Sequence, residues 1–283
     1  MKETFRDRFD RPIFIVSTPR SGSTLMFETL AQAPHLFSIG GESHGLIERF
    51  PELSPIAHQS MSNLLTAEDA KNHLAERLAQ DFYEALRDRQ GSPANGRVRM
   101  LEKTPKNALR VSFFDAIWPD ACFIYLYRDP RQTLSSMIEA WSSGRFRTYP
   151  RLPGWNGPQW SLLLVPGWQR LNGMPIHRIV AHQWAITTGV LLDALEAIPA
   201  KRVQVVRYED FLARPQDAIK TIAGRLDFEW DRQLTNTLPL SRYTVSRPNP
   251  DKWRSIQTQI DSVFPIVEQV DARARRFTTS RAM

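Results

Sequence analysis

One cysteine, Cys122, stands in 283 residues. An internal disulfide and any cysteine-based zinc cluster are thereby excluded, and the apolar run around that thiol makes buried packing its default. No stretch reaches the roughly 18 apolar residues of a membrane span. The first ten residues, MKETFRDRFD, are densely charged and hold no apolar signal segment, so a cytoplasmic protein is expected. Internal repeats and low-complexity tracts are missing too. Despite a net charge of +7, no dense basic run occurs beyond Arg273, Arg275 and Arg276. That scatter argues against a nucleic-acid binder and for attraction of a polyanionic cofactor or an acidic acceptor. The strict phosphate-loop pattern G-x-x-x-x-G-K-[S/T] is also lacking: no glycine precedes Gly22 at the required distance and no lysine follows it. An ordinary ATP or GTP hydrolase is disfavoured.

What is present begins with residues 12–24, PIFIVSTPRSGST. The short β-branched run Ile13 to Val16 breaks into a small polar turn, and a helical pattern (Leu25, Met26, Leu30) starts directly. A strand feeding a helix this way aims backbone N–H groups and the positive end of the helix dipole at one point. Arg20 adds a cation, and Ser21, Ser23 and Thr24 add hydroxyls suited to an oxyanion. An ordinary βα loop with a Ser/Thr cap is the plainer alternative. A second strand, 122–127, ends at Arg128, and Pro130 suits the first turn of the helix that follows. Arg128 and Ser136 are eight residues apart, one at the strand end and one two turns into that helix. In parallel sheets ligands gather at the carboxyl ends of strands, so both loops should open on one edge.

Strands are expected at about 12–17, 98–101, 121–127 and 203–207, alternating with helices at about 23–33, 67–89, 105–117, 131–141, 178–197 and 215–226. The alternation predicts an α/β fold, a mostly parallel sheet covered by helices on both faces. With 42% hydrophobic residues, one domain over 1–283 can bury a full core. Residues 142–177, with Arg145, Arg147, Trp155, Trp160 and Trp168, read as an irregular lid or wall over an acceptor site, or as an excursion packed on the sheet. A C-terminal amphipathic helix is expected over 255–277, interrupted near Pro265, within a helical segment reaching 283.

These motifs resemble the sulfotransferases that use 3′-phosphoadenosine 5′-phosphosulfate (PAPS). The segment Pro19 to Leu25 is most similar to the tyrosylprotein and bacterial natural-product branches. Leu101-Glu102-Lys103-Thr104-Pro105 resembles the Glu-Lys-[Ser/Thr]-Pro segment of heparan sulfotransferases, whose lysine contacts the transferring group. Val206 to Asp210 resembles a family segment that follows a strand. The resemblance implies a P-loop-like sulfotransferase fold. It implies that Arg20, Ser21, Gly22, Ser23, Thr24 and Leu25 cradle the 5′-phosphosulfate, and that Arg128 and Ser136 hold the 3′-phosphate. Tyr208 would pack on the nucleotide, or be an interior tyrosine at a strand end. Ser246 and Lys252, with Trp253, resemble late residues near the cofactor in the tyrosylprotein branch. Lys103 and Arg20 would neutralise the leaving oxygens. The base would be Glu42, or His44, in Gly40-Gly41-Glu42-Ser43-His44-Gly45; the plainer roles are a helix-capping carboxylate and a structural imidazole. A raised pKa would suit a carboxylate base and would need partial burial. His177 and His182 would face the acceptor or lie on a helix surface.

The implied reaction moves the sulfuryl group of PAPS in line to a hydroxyl of a small-molecule or carrier-bound acceptor, leaving the bisphosphate PAP. No metal is chemically obligatory, since catalysis is mostly positioning and charge stabilisation. A magnesium-dependent nucleotide kinase with a degenerate phosphate loop, and a catalytically silent binding protein, are the competing expectations. Oligomeric state and acceptor are open.

Overall fold

Alternation decides the architecture. In β1 (Ile13–Val16), Phe14 and Val16 join one buried cluster while Ile13 and Ile15 join another. A strand buried on both sides in this way must lie inside a sheet with helices on each face. The computed structural model describes residues 4–57 and 61–281. The further strands are β2 (Leu36–Phe37), β3 (Arg99–Glu102), β4 (Cys122–Tyr127), β5 (Arg147–Tyr149), β6 (Trp160–Ser161) and β7 (Val203–Arg207). Five of them form a sheet in the order β2-β3-β1-β4-β7, every pairing parallel. The registers Ile13↔Leu101 and Ile13↔Cys122 place β1 centrally. The α/β sheet covered on both faces, expected from the sequence, is present.

The helices are α1 (Ser23–Leu30), α2 (His44–Glu48), α3 (Asn72–Ala85), α4 (Val111–Ile117), α5 (Pro130–Ser143), α6 (Ile176–Ala197), α7 (Tyr208–Ala213), α8 (Pro215–Leu226) and α9 (Gln257–Arg281). Side chains of α3, α4, α6 and the end of α9 cover one face of the sheet, with Phe123 and Tyr125 beneath them. Those of α1, α7 and α8 cover the other, over Ile124 and Leu126. Burying such a side chain contributes about 1.5–3 kcal/mol, so these two layers dominate the stability of the sheet.

Several boundaries depart from the sequence expectations. The helix expected over 105–117 is a 3-10 turn, Pro105–Leu109, followed by α4; Arg110, at φ −133°, separates them. α9 runs unbroken through Pro265 rather than being interrupted there. Pro265 and Asp261 are both exposed, so the carbonyl that the proline leaves unbonded faces solvent and the helix continues. The expected end at residue 283 lies outside the described residues.

The stretch 142–177 carries a core of its own. Gly144, at φ 64°, ends α5, and β5 pairs antiparallel with β6. The Trp155 and Trp168 rings pack edge-on to Trp160 at 4.9 and 5.9 Å, and Trp141 of α5 reaches the same ring at 5.3 Å. Gln183 of α6 pins the whole unit: it accepts from Trp141 Nε1 and donates to the carbonyls of Ser161 and Leu163. Most of the tryptophans expected to form a lid are therefore packing residues.

Candidate active site

All five strands of the parallel sheet end on one edge, and a cleft opens there. Its lining comes from the turn after β1, the loop after β2, the exit of β3, Arg128 after β4 and Tyr208 after β7. A wall from 145–148 and 162–163, and the segment 241–253, complete it. The cleft encloses about 1460 Å³, part of it open solvent.

The turn 17–22 is wound tightly. Arg20 and Gly22 both adopt positive φ, 69° and 93°. The winding turns Ser21 inward, where its hydroxyl meets Thr18 Oγ1 at 2.8 Å, while Arg20, Ser23 and Thr24 face the cleft. Leu25 is a core residue. Gly22 is required on two counts. A Cβ there would sit 2.2 Å from Tyr208 Cε2, and its backbone occupies a region that side chains avoid. Gly22→Ala is expected to lower stability by about 1–3 kcal/mol in thermal unfolding, with part recovered when Tyr208 is also cut to alanine.

Arg20 and Arg128 face one another. Arg128 Nη1 donates to the Arg20 carbonyl at 3.0 Å, and Arg20 Nε donates to Ser136 Oγ at 3.3 Å. Arg128 also stacks over the Tyr208 ring at 4.5 Å, and Arg20 over Phe146 at 4.8 Å. Burial pushes both guanidiniums below their ordinary pKa. Neither has a carboxylate within ion-pair distance among the described residues. Asp129 does not pair with Arg128; it caps α5, accepting from the N–H of Arg131 at 2.8 Å. The turn, Arg128 and Ser136 are thus one cationic cradle, assembled from residues more than a hundred positions apart.

On the other side, Lys103 is 2% exposed and donates to Glu42 Oε1 at 2.9 Å. His44 Nδ1 lies 3.6 Å from Glu42 Oε2. Desolvation, reinforced by Lys106, holds His44 below its usual pKa against the opposing pull of Glu42. Glu42 does not cap α2, which begins without a side-chain cap. Below them Glu48 binds Lys106 at 2.8 and 2.9 Å and Arg110 at 2.8 Å, and Lys106 also donates to Tyr149 Oη at 2.9 Å.

Ser246 and Lys252 line the cleft opposite the turn, both bound to Glu139. Tyr243 covers Lys103, its ring 5.6 Å from Nζ, and its carbonyl accepts from Arg20 Nη1. His177 and His182 are not among the cleft residues; the neighbouring Trp184 packs in the core of the wall. Sequence reasoning missed Glu139, Phe146, Lys106 and Tyr243. Glu139 alone carried a signal, one helical turn after Ser136.

A sequence profile described as the sulfotransferase family matches residues 12–232. The chain belongs to the sulfotransferase family. The matched span runs from β1 through α8 and takes in every strand end around the cleft. A protein-tyrosine sulfotransferase of Drosophila melanogaster is 24% identical over 255 residues, covering 89% of this chain and 44% of that protein. Nodulation protein NoeE of Sinorhizobium fredii is 24% identical over 228 residues, covering 76% and 50%. The chain spans about half the length of these curated relatives. Among solved structures, sulfotransferase STF9 from Mycobacterium avium matches with TM-score 0.51 at 15% identity, covering 93% of this chain and 76% of that one. The sulfotransferase domain of the Synechococcus PCC 7002 olefin synthase matches with TM-score 0.50 at 18% identity, covering 92% and 94%. Both have the same fold.

Proposed function

We propose that this chain transfers the sulfuryl group of PAPS to a hydroxyl of a small-molecule or carrier-bound acceptor. The observation that carries the reading is the pair Arg20 and Arg128, half-buried cations with no carboxylate at ion-pair distance among the described residues, converging with Ser136 and the start of α1. Such a cradle favours a compact, multiply charged anion. The donor set fits PAPS in kind: Arg20, Ser23 and Thr24 would hold the 5′-phosphosulfate, Arg128 and Ser136 the 3′-phosphate. The lack of a Cβ at Gly22 lets Tyr208 close against the turn. Ser246 and Lys252 would reach the nucleotide after release from Glu139. When bound, PAPS supplies an activated sulfuryl group and leaves as PAP.

The chain's own residues supply charge and a proton acceptor. Lys103 would neutralise the negative charge that builds on the leaving oxygens, and Lys103→Ala is expected to lower kcat about 10²-fold while PAP binding survives. Glu42, beside that ammonium and more sheltered than His44, is the preferred base. Family membership gives the magnesium-dependent kinase alternative no support.

For the acceptor, Phe146, Leu162 and Leu163 offer an apolar surface, which favours an organic hydroxyl over a bare glycan. Arg145 and Arg147 on the same wall have no ion-pair partner among the described residues and would attract an anionic group on that acceptor. The test is transfer from radiolabelled PAPS to apolar phenols and hydroxy acids beside sulfated and unsulfated glycans. Labelling of the first group supports the reading; faster labelling of glycans reverses the acceptor assignment.

A further inference from the structure

Glu102 ends β3 one residue before Lys103 and is 1% exposed. Its carboxylate accepts three hydrogen bonds of 2.6 Å. Ser43 Oγ and Thr104 Oγ1 donate to Oε1, and Asn107 Nδ2 donates to Oε2. Thr104 Oγ1 in turn accepts from the Ser43 backbone N–H at 2.7 Å. Ser43 is wholly buried and stands between Glu42 and His44. A single interior carboxylate therefore fastens the loop bearing both base candidates to the strand bearing the lysine. Burial pushes this carboxyl up, while the three donors and the nearby Lys103 oppose the shift.

A buried carboxyl group is a poor choice for holding a loop unless nothing apolar could do the same work. The Lys103–Glu42 pair suggests what that work is. For sulfuryl transfer the ammonium would have to turn to the leaving oxygens and Glu42 would have to be free to take the acceptor's proton, so this ion pair would open in each turnover. It cannot also be what keeps Glu42 in place. We infer that Glu102 is a positioning residue, holding the Glu42–His44 loop in register with β3 while Lys103 lets go of Glu42. The inference rests on the sulfotransferase reading above.

The test compares wild type, Glu102→Ala, Glu102→Gln and Lys103→Ala in the full chain saturated with PAP. In wild type and Lys103→Ala, the Ser43 amide should stay protected from hydrogen exchange, whereas Glu102→Ala should lose about tenfold or more of that protection. With 2-naphthol as acceptor, Glu102→Ala should lower kcat about tenfold to a hundredfold and leave KM for PAPS within about twofold. Glu102→Gln should restore most of both. It keeps the acceptor oxygen for Ser43 and Thr104, and Asn107, whose Oδ1 is buried without a partner, can turn its amide to match. Two outcomes overturn the inference: Ser43 loosening as much in Lys103→Ala as in Glu102→Ala, or Ser43 staying protected in Glu102→Ala whatever happens to kcat. Should wild type fail to bind PAP, the sulfotransferase reading falls, and exchange in the unliganded chain still decides the role of Glu102. Where no phenol is turned over, exchange decides alone.

Discussion

Glu42→Gln is expected to lower kcat by about 10²–10⁴-fold, the range for losing a general base. The amide keeps the size of the carboxylate, and its oxygen can still accept from Lys103 Nζ, which now reaches Glu42 at 2.9 Å. What disappears is the capacity to take a proton. PAP affinity should hold, because Arg20 lies in the turn after β1, and Arg128 and Ser136 belong to the unit of β4 and α5. His44→Gln is the control, with a loss smaller than about tenfold expected, since its imidazole stands 3.6 Å from Glu42 and more open to solvent. The pH profile separates the two. Burial with Lys106 nearby lowers His44 from its ordinary 6.5, so a histidine base would give an acid limb below that value. That limb would vanish in His44→Gln. Survival of the limb in that variant, with its loss in Glu42→Gln, assigns the base to Glu42.

Glu48→Gln should be the most destabilising single change among the polar residues beside the cleft, by about 3–5 kcal/mol. Lys106 is 7% exposed and Arg110 is fully buried, and Glu48 is the carboxylate that serves both. Removing it strands two interior cations, whose desolvation then goes uncompensated. For a chain this long the melting temperature should fall on the order of 10 °C. Burial alone would raise the Glu48 pKa, but Lys106 and Arg110 outweigh it and hold the carboxyl below its ordinary 4.5. A depressed folded-state pKa means stabilisation that is complete above the unfolded value and lost as pH falls through the folded one. The gap between wild type and Glu48→Gln should therefore narrow below about pH 4.5 in thermal unfolding followed across pH.

The same residues show why some of this molecule was legible in its sequence and some was not. β1, the turn after it and α1 were readable because each rests on local chemistry: a β-branched run, small residues at a tight turn, a periodic apolar face. Arg128 and Ser136 were readable for the same reason, sharing one strand–helix unit. Ser21 shows the limit. Positive φ at Arg20 turns its hydroxyl back onto Thr18, and no composition rule announces that rotation. Residues 142–177 were placed beside the cleft, yet the tryptophans serve an interior fixed by Gln183, and only 145–148 and 162–163 reach the site. That division depends on α6, which follows in sequence and carries no motif. Tyr243 over Lys103, and Glu139 holding Lys252, join positions more than a hundred apart through contacts that only the folded chain creates. Pro265 misled for a simpler reason: a proline costs a helix one hydrogen bond, and on a solvent face water replaces it.

On the proposed function, the turn after β1 and the Arg128–Ser136 unit form one site for an adenosine bisphosphate. Its most direct test is thermal unfolding with PAP in the presence of a metal chelator, beside ATP with and without magnesium. At about 100 times its dissociation constant a ligand adds roughly 2.7 kcal/mol to folded-state stability, a rise of several degrees for a chain this size. That rise is expected for PAP without metal, and its loss is expected in Arg128→Ala. A rise with magnesium–ATP alone, and none with PAP, would contradict it.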